Sequence, residues 1–399
     1  MADVRSVALG FWIGVGSRDE PEHVAGASHF LEHLLFKGTP TRSARDIAEA
    51  IDSVGGEMNA FTAKDHTVFY LRVLVEDLEL ALDVLCDIMW NPAFRPEELE
   101  AERQVIAEEL LMRGDEPEDL VQELLSEIMF PGHPLGREVM GDEATVKGMT
   151  AADLRAFHDR HYRPGVMVLA AAGAVDHAAF VERIWQRFQA SGRPAGGTRP
   201  SRVAPTAPPR PVAVSRRRTE QAHVALGLPS VNRHHPDRHA VTLLTHVLGG
   251  GVSSRLFQEV RERRGLAYSV YAYRASYEDA GAVVLYAGTA PDRARAVLDV
   301  LTAELDRLAD GVTERELDVA ARGLVGSMVL GLEDSAARMS RIGRSLLVHG
   351  EVPTVEEVMA RFFAVSSDDM RRVAAGLVEA PRSLAVVGPF SRSAFPAAR

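Results

Sequence analysis

The sequence predicts an α+β fold built from two homologous domains, and three observations carry that reading. Apolar residues switch repeatedly between the 3.6-residue period of helices and the two-residue period of strands. The order and spacing of these segments in the first half recur in the second. Between the halves lies a stretch rich in proline and glycine: Gly192, Pro194, Gly196, Gly197, Pro200, Pro205, Pro208, Pro209 and Pro211. Its polyproline character makes it a semi-rigid linker. The expected boundaries are 1–190 for the first domain, 191–211 for the linker and 212–399 for the second. Each domain is expected to be a mainly antiparallel β-sheet packed with α-helices. The alternative is one large domain crossed by a long proline-rich loop.

Taken in order, residues 5–15 read as a strand, and a short helix around 29–36 follows a loop. Ser43 to Val54 is an amphipathic helix stopped by Gly55-Gly56. Met58 to Val75 holds two β-rich runs around Ala63-Lys64-Asp65, a hairpin. Helices are expected at 77–90 and 96–113, the second with Pro96 in its first turn. Helical stretches continue to 161, a strand covers 166–172, and a helix runs to Phe188. In the second half, 224–228 is a strand, 237–248 a helix, and 268–274 and 282–288 are strands. Helices at 292–308 and 313–330 mirror 78–90 and 96–111. Late in each half a helix leads into a strand: 151–161 into 166–172, and 367–378 into 384–387.

Composition narrows the function classes. The chain has 399 residues, 46% apolar and 25% charged, the usual range for a globular protein with ample core. Its net charge of −11 argues against a general nucleic-acid binder, which needs a basic surface. The single cysteine, Cys86, excludes an intrachain disulfide framework and any cysteine-rich metal site, and its neighbours Val84, Leu85 and Ile88 suggest a core thiol. Val7 to Val15 is apolar but lacks a basic leader and a small-residue cleavage site, so it is expected to be a strand and not a signal peptide. No apolar run approaches the roughly 20 residues of a membrane helix, and a cytoplasmic location is the expectation.

The chemistry centres on His29-Phe30-Leu31-Glu32-His33, set between Gly26-Ala27-Ser28 and Leu34-Leu35-Phe36. The helix is apolar nearly all round, yet at about 100° per residue positions 29, 32 and 33 share one stripe. Isolated buried charge is costly, so such a stripe needs a partner. Two histidines four apart can bind one zinc ion from a single helix face. The glutamate beside the second can serve as general base toward a water. The order H-x-x-E-H inverts the H-E-x-x-H arrangement and has a known zinc-peptidase reading. In the second half, His246 overlays His33, but Thr242 and Thr245 stand opposite His29 and Glu32. That half is expected to carry no metal site.

Zinc on two histidines wants a third protein ligand and an open position. The helix from Pro96 offers glutamates at 97, 98, 100, 102, 108 and 109. Leu99, Ile106 and Leu110 define its buried face. Glu102 and Glu109, seven apart, point toward that face, whereas Glu108 points away.

His29-x-x-Glu32-His33 followed by Glu109 resembles the M16 family of zinc peptidases, as do the flanking Leu34-Leu35-Phe36-Lys37-Gly38-Thr39 and the run Asn59-Ala60-Phe61-Thr62. The resemblance covers nearly the whole chain. It implies a LuxS/MPP-like fold for each domain and one Zn2+ per chain, held by His29, His33 and Glu109 with Glu102 in support. It implies Glu32 as catalytic base and Asn59, Ala60, Phe61 and Thr62 as the strand that receives the substrate. A further run, Gly249 to Phe257, then Arg261, then Gly265-Leu266-Ala267-Tyr268, is similar to the family's C-terminal domain. There an arginine and a tyrosine at this spacing reach into the catalytic chamber, which maps to Arg261 and Tyr268. The two-domain size is similar to the short M16 subfamily, whose subunits pair as a clamshell. The partners implied are a peptide substrate and a second subunit, identical or related, with no nucleic acid or membrane. A non-catalytic assembly subunit and a dedicated maturation peptidase for one substrate remain the alternatives. Family members usually have an additional strand ahead of the one near Arg5, so an unpaired sheet edge is expected.

Overall fold

The computed structural model describes residue 1 and residues 4–395. The outermost ends of the two expected domains, at 2–3 and 396–399, lie outside the described residues. In the first half of the chain the strands are β1 (Ser6–Ile13), β2 (Glu57–Thr62), β3 (Thr67–Leu74) and β4 (Met167–Gly173). The helices there are α1 (Ala27–Leu35), α2 (Ala44–Asp52), α3 (Leu78–Trp90), α4 (Pro96–Asp115), α5 (Pro117–Met129), α6 (Glu143–Gly148), α7 (Ala151–His161) and α8 (His177–Ala190). The second half contributes β5 (Val212–Arg216), β6 (Ala222–Ser230), β7 (Ala267–Ser276), β8 (Gly281–Thr289) and β9 (Ser383–Gly388). Its helices are α9 (Arg238–Gly249), α10 (Ala294–Asp306), α11 (Glu314–Gly331), α12 (Ser335–His349), α13 (Val355–Phe363) and α14 (Ser367–Glu379). The mixed α+β class and the repeat of strand, helix, hairpin and paired helices stand as the periodicity predicts. Three elements do not appear in that reading: β5, directly after the linker, and helices α12 and α13.

The chain forms two compact units, each drawn from both halves of the sequence. One comprises Met1–Leu110, Glu138–Ser201 and Leu330–Val352. Its sheet has the order β2-β3-β1-β4 and is antiparallel throughout. Alternation along β1 sends Val7, Leu9, Phe11 and Ile13 into the main core with Phe30, Leu31, Leu35 and Leu85. Ala8 and Trp12 face the other way, onto α12. The Trp12 Nε1–H donates to Met339 Sδ at 3.4 Å. Gly343 of α12 lies flat on the indole, where a Cβ would come within 2.2 Å of Trp12 Nε1.

The other unit comprises Leu111–Arg137, Arg202–Val329 and Pro353–Arg399. Its sheet has the order β5-β9-β6-β8-β7, with β5 and β9 parallel and the remaining pairs antiparallel. Val224, Leu226 and Leu228 enter its main core, while Ala225, Tyr286 and Val387 pack under Val121, Leu125 and Met129 of α5. Both sheets are thus apolar on both faces and need two covers. The second cover comes from the opposite half of the chain each time. The compact units therefore interleave in sequence, with one change-over between Ser201 and Arg202, inside the expected linker, and others near residues 110, 137, 329 and 352. β4 is a sheet edge among the described residues, whereas β9, its counterpart, is flanked by β5. No helix among the described residues is long and apolar enough to cross a membrane. Cys86 is buried in the core, and burial pushes its thiol up to about 12.

The Trp12–Gly343 contact sets a test of packing. Alanine is ordinarily the better helix residue, by about 1 kcal/mol. Here the added methyl meets a rigid indole, so Gly343→Ala should instead destabilise the fold by about 1–3 kcal/mol. A lowered midpoint in urea unfolding checks it, with Gly376→Ala, where a Cβ meets open space, as the control.

Candidate metal centre

Helix α1 starts from an unusual cap. Gly26 adopts φ of 96°, and a side chain there would meet the Met140 carbonyl oxygen at 2.4 Å. No side chain at the cap position satisfies the first amides. The buried Glu20 does so from upstream: its two carboxylate oxygens accept the Gly26 and Ser28 N–H groups, each at 2.7 Å. This removes two of the orphan donors of a helix N-terminus and fixes the helix axis. Phe30, Leu31, Leu34 and Leu35 then bury the rest of α1, leaving His29, Glu32 and His33 as its partly open stripe.

Helix α4 crosses this stripe. Arg103 pins it by donating to the Val146 and Met149 carbonyls, with its guanidinium 5.5 Å from the Phe30 ring centre. Glu109 Oε2 thereby lies 3.7 Å from His29 Nε2 and 3.4 Å from His33 Nε2. A tetrahedral zinc ion with bonds of about 2.0–2.1 Å separates its ligand atoms by roughly 3.3 Å, and the Glu109 oxygen stands within a few tenths of an ångström of that spacing from both imidazoles. Among the described residues this is the one group of three or more His, Cys, Asp or Glu side chains whose ligand atoms come together, all within 4.8 Å. The donor set, two imidazoles and a carboxylate, is the chemistry of a zinc site with an open position.

The surroundings fit the same purpose. Glu102, only 3% exposed, places Oε2 at 3.0 Å from His33 Nδ1 and Oε1 at 2.8 Å from Lys37 Nζ. A carboxylate there fixes the Nδ1–H tautomer and turns Nε2 toward the metal position. Lys37 compensates the buried charge. Glu108 is exposed, as the face argument expects. Glu32 is held by Thr62, whose Oγ1–H donates to Glu32 Oε2 at 2.6 Å. Burial pushes the Glu32 carboxyl above its ordinary range, opposed by the Thr62 hydrogen bond and the neighbouring His33. β2 is an edge strand, as substrate addition would need. Only part of Asn59 to Thr62 faces the centre, however: Ala60 packs into the α1 core and Thr62 meets Glu32, while Phe61 turns to Trp12 and His66 on the other face.

The second unit holds Arg261 and Tyr268, and they touch. The Arg261 guanidinium lies 4.4 Å from the Tyr268 ring centre and 4.8 Å from that of Phe257. Arg261 sits in a π-helical turn, Phe257–Glu262, a form that gathers at functional positions. Tyr268 sits where the β7–β8 register slips between Ala267 and Ser269, and that bulge leaves it 78% exposed. In α9, Thr242 and Thr245 return their hydroxyls to the Arg238 and Val241 carbonyls, each at 2.8 Å. Among the described residues no further metal-ligating side chains gather at His246, and burial lowers its pKa. Sequence reasoning missed Glu20, Lys37, Phe257 and the bond from Thr62 to Glu32. Only Lys37, four residues after His33 and within reach of Glu102, carried a helical-spacing signal.

Comparison with known proteins places the chain in a family. Residues 2–143 match the family described as insulinase (peptidase family M16), and residues 148–324 match the peptidase M16 inactive domain. The chain belongs to peptidase family M16, as a short two-domain member. It is 46% identical over 400 residues to an uncharacterized zinc protease of Streptomyces coelicolor, covering 98% of this chain and 86% of that one. It is 38% identical over 389 residues to one of Bacillus subtilis, covering 97% and 94%. In fold it is similar to a peptidase M16 inactive domain from Pseudomonas fluorescens, at a TM-score of 0.90 and 22% identity, with 98% and 94% of the two chains covered. A protease from Helicobacter pylori aligns equally well, at 0.90 and 24%, covering 97% and 95%.

Zinc titration of the metal-stripped chain should saturate at about one ion per chain. His29→Ala, His33→Ala and Glu109→Ala should abolish tight binding, and Glu102→Ala should weaken it by about 10–100-fold. Glu108→Ala and His246→Ala should leave stoichiometry and affinity unchanged. Loss of zinc in Glu108→Ala with retention in Glu109→Ala would contradict the placement of the third ligand.

Proposed function

We propose that this chain is a zinc-dependent endopeptidase, cleaving peptides or unfolded segments inside a closed chamber formed by two subunits. The observation that carries the reading is the convergence of His29, His33 and Glu109, with the Glu32 carboxylate beside them on the same helix stripe. Zinc held by these three side chains supplies a Lewis acid for the scissile carbonyl and lowers the pKa of water at its open position. Glu32 takes the proton from the attacking water and later passes it to the leaving amine. Its burial favours a carboxyl that can hold that proton. The substrate lies along the open edge of β2 as an added strand.

Arg261 and Tyr268 grip the substrate carbonyl and its developing oxyanion, for which a guanidinium and a phenol are suited donors. Their stacking lowers the cost of ordering them on a substrate. They are supplied in trans, by a partner subunit that is a second copy of this chain or a related one.

Metal content and catalysis should separate. Glu32→Gln should keep about one zinc per chain and lose peptidase activity by at least roughly 10²-fold. Equal activity in Glu32→Gln and the natural chain, on a panel of unrelated unfolded peptides, would refute the assignment.

The trans arrangement has its own test. Glu32→Gln lacks the base and keeps the grip, whereas Arg261→Ala/Tyr268→Phe keeps the base and lacks the grip. Random exchange makes about half the dimers mixed, each with one whole site of two, so activity should recover to about one quarter of the natural level. No recovery, with exchange confirmed independently, would show that the pair serves its own chain.

A further inference from the structure

Resting on the peptidase reading, the geometry points to Thr62 as the positioning residue of the Glu32 base, a role distinct from lining a substrate strand. A glutamate on a helix has three side-chain torsions, and fixing them costs conformational entropy. Some contact must hold the carboxylate if it is to meet an attacking water at one angle. The Thr62 Oγ1–H does so, donating to Oε2 at 2.6 Å, and the Thr62 backbone N–H adds to the hold on the same carboxyl group.

The anchor of this contact is rigid on its far side. Thr62 is the last residue of β2 and pairs with Thr67, the first of β3. Thr67 is fully buried and donates its hydroxyl to the Val15 carbonyl at 3.0 Å. The hairpin loop beyond Thr62 is tied down as well. Ser17 and Arg18 donate their backbone N–H groups to the Ala63 and Lys64 carbonyls at 3.1 and 3.0 Å. Arg18 also pairs with Asp65 at 3.2 Å, with both side chains buried. The threonine hydroxyl is thus presented by a backbone fixed on two sides, and the flexible partner, Glu32, takes its orientation from it. The same residue ends the strand on which the substrate is proposed to lie, so seating of substrate and aim of the base share one element.

The discriminating variants are Thr62→Val, which keeps the shape and removes the donor, and Thr62→Ser, which keeps the donor and removes the methyl. Thr62→Val should lower kcat by about 10–100-fold with KM and zinc content unchanged. Thr62→Ser should stay within about threefold of the natural chain. In a Glu32→Gln background, Thr62→Val should add no further loss, because the residue acts through the base. Equal loss in Ser and Val variants, a fall in zinc content, or a full additional loss in the Glu32→Gln background would overturn the proposal. A second measurement does not depend on turnover: crystal structures of the zinc-loaded natural chain and Thr62→Val. The Glu32 carboxylate should occupy one conformer in the first and spread over several in the second. The same single conformer in both would overturn the role of Thr62 even if activity fell. Inactivity of the natural chain on every peptide would count against the peptidase reading alone, and the crystallographic comparison would still decide the Thr62 contact.

Discussion

A nine-residue helix, apolar on most of its surface, carries two imidazoles and a carboxylate along one stripe. Keeping that stripe inside the protein is the constraint on which the first unit is built. Desolvated polar groups must be paired, and the pairing here is supplied from four separate elements. Glu20 holds the helix start, Glu109 closes on the two Nε2 atoms, Glu102 with Lys37 holds the back of His33, and Thr62 holds Glu32. None of these contacts is local to α1 except Lys37. The apolar residues of α1 fix where the helix lies, and the polar ones fix what must surround it.

The second unit shows the same scaffold freed of that constraint. α9 is buried through Leu243, Leu244, Val247 and Leu248, much as α1 is through its own leucines. Its threonines satisfy themselves against the preceding turn, so nothing need converge on them. α11 passes His246 with Gly323 and brings no carboxylate to it. Two copies of one fold thus differ at the site by a few side chains, and the difference follows from how each polar group finds its partner.

Much of this was legible in the sequence, and the limits have physical causes. The H-x-x-E-H spacing gives one helix face directly. The seven-residue step from Glu102 to Glu109 gives the face of α4, and both carboxylates do turn inward while Glu108 does not. Periodicity also located most strands and helices to within a residue or two. It could not say which sheet a helix covers, so α5 and α12 were free to cross between units. β5 is short, and only Val212 and Val214 mark its alternation. The π-helical turn at Phe257 and the bulge at Tyr268 insert residues out of register, which no period reports. Contacts such as Glu20 to Ser28 or Thr62 to Glu32 join segments whose spacing obeys no period.

Those irregular features bear on why the Arg261–Tyr268 pair sits where it does. An exposed tyrosine on a regular strand would swing freely or fold back on its neighbours. The bulge turns Tyr268 out of the β7–β8 ladder, and the Arg261 cation lies over its ring, itself backed by Phe257. Cation and ring hold each other in place, an arrangement worth about 0.5–1 kcal/mol at an exposed site. A surface pair ordered this way is held before any ligand arrives, which suits the gripping role proposed for it. β2 in one sheet and β7 in the other are edge strands, and each carries one of the candidate residues near an end. β2 ends in Thr62 against the Glu32 carboxylate, and β7 carries Tyr268 near its start, exposed to solvent. An edge strand has one side bonded for rigidity and one side open. That combination suits a residue that must be both fixed and reachable.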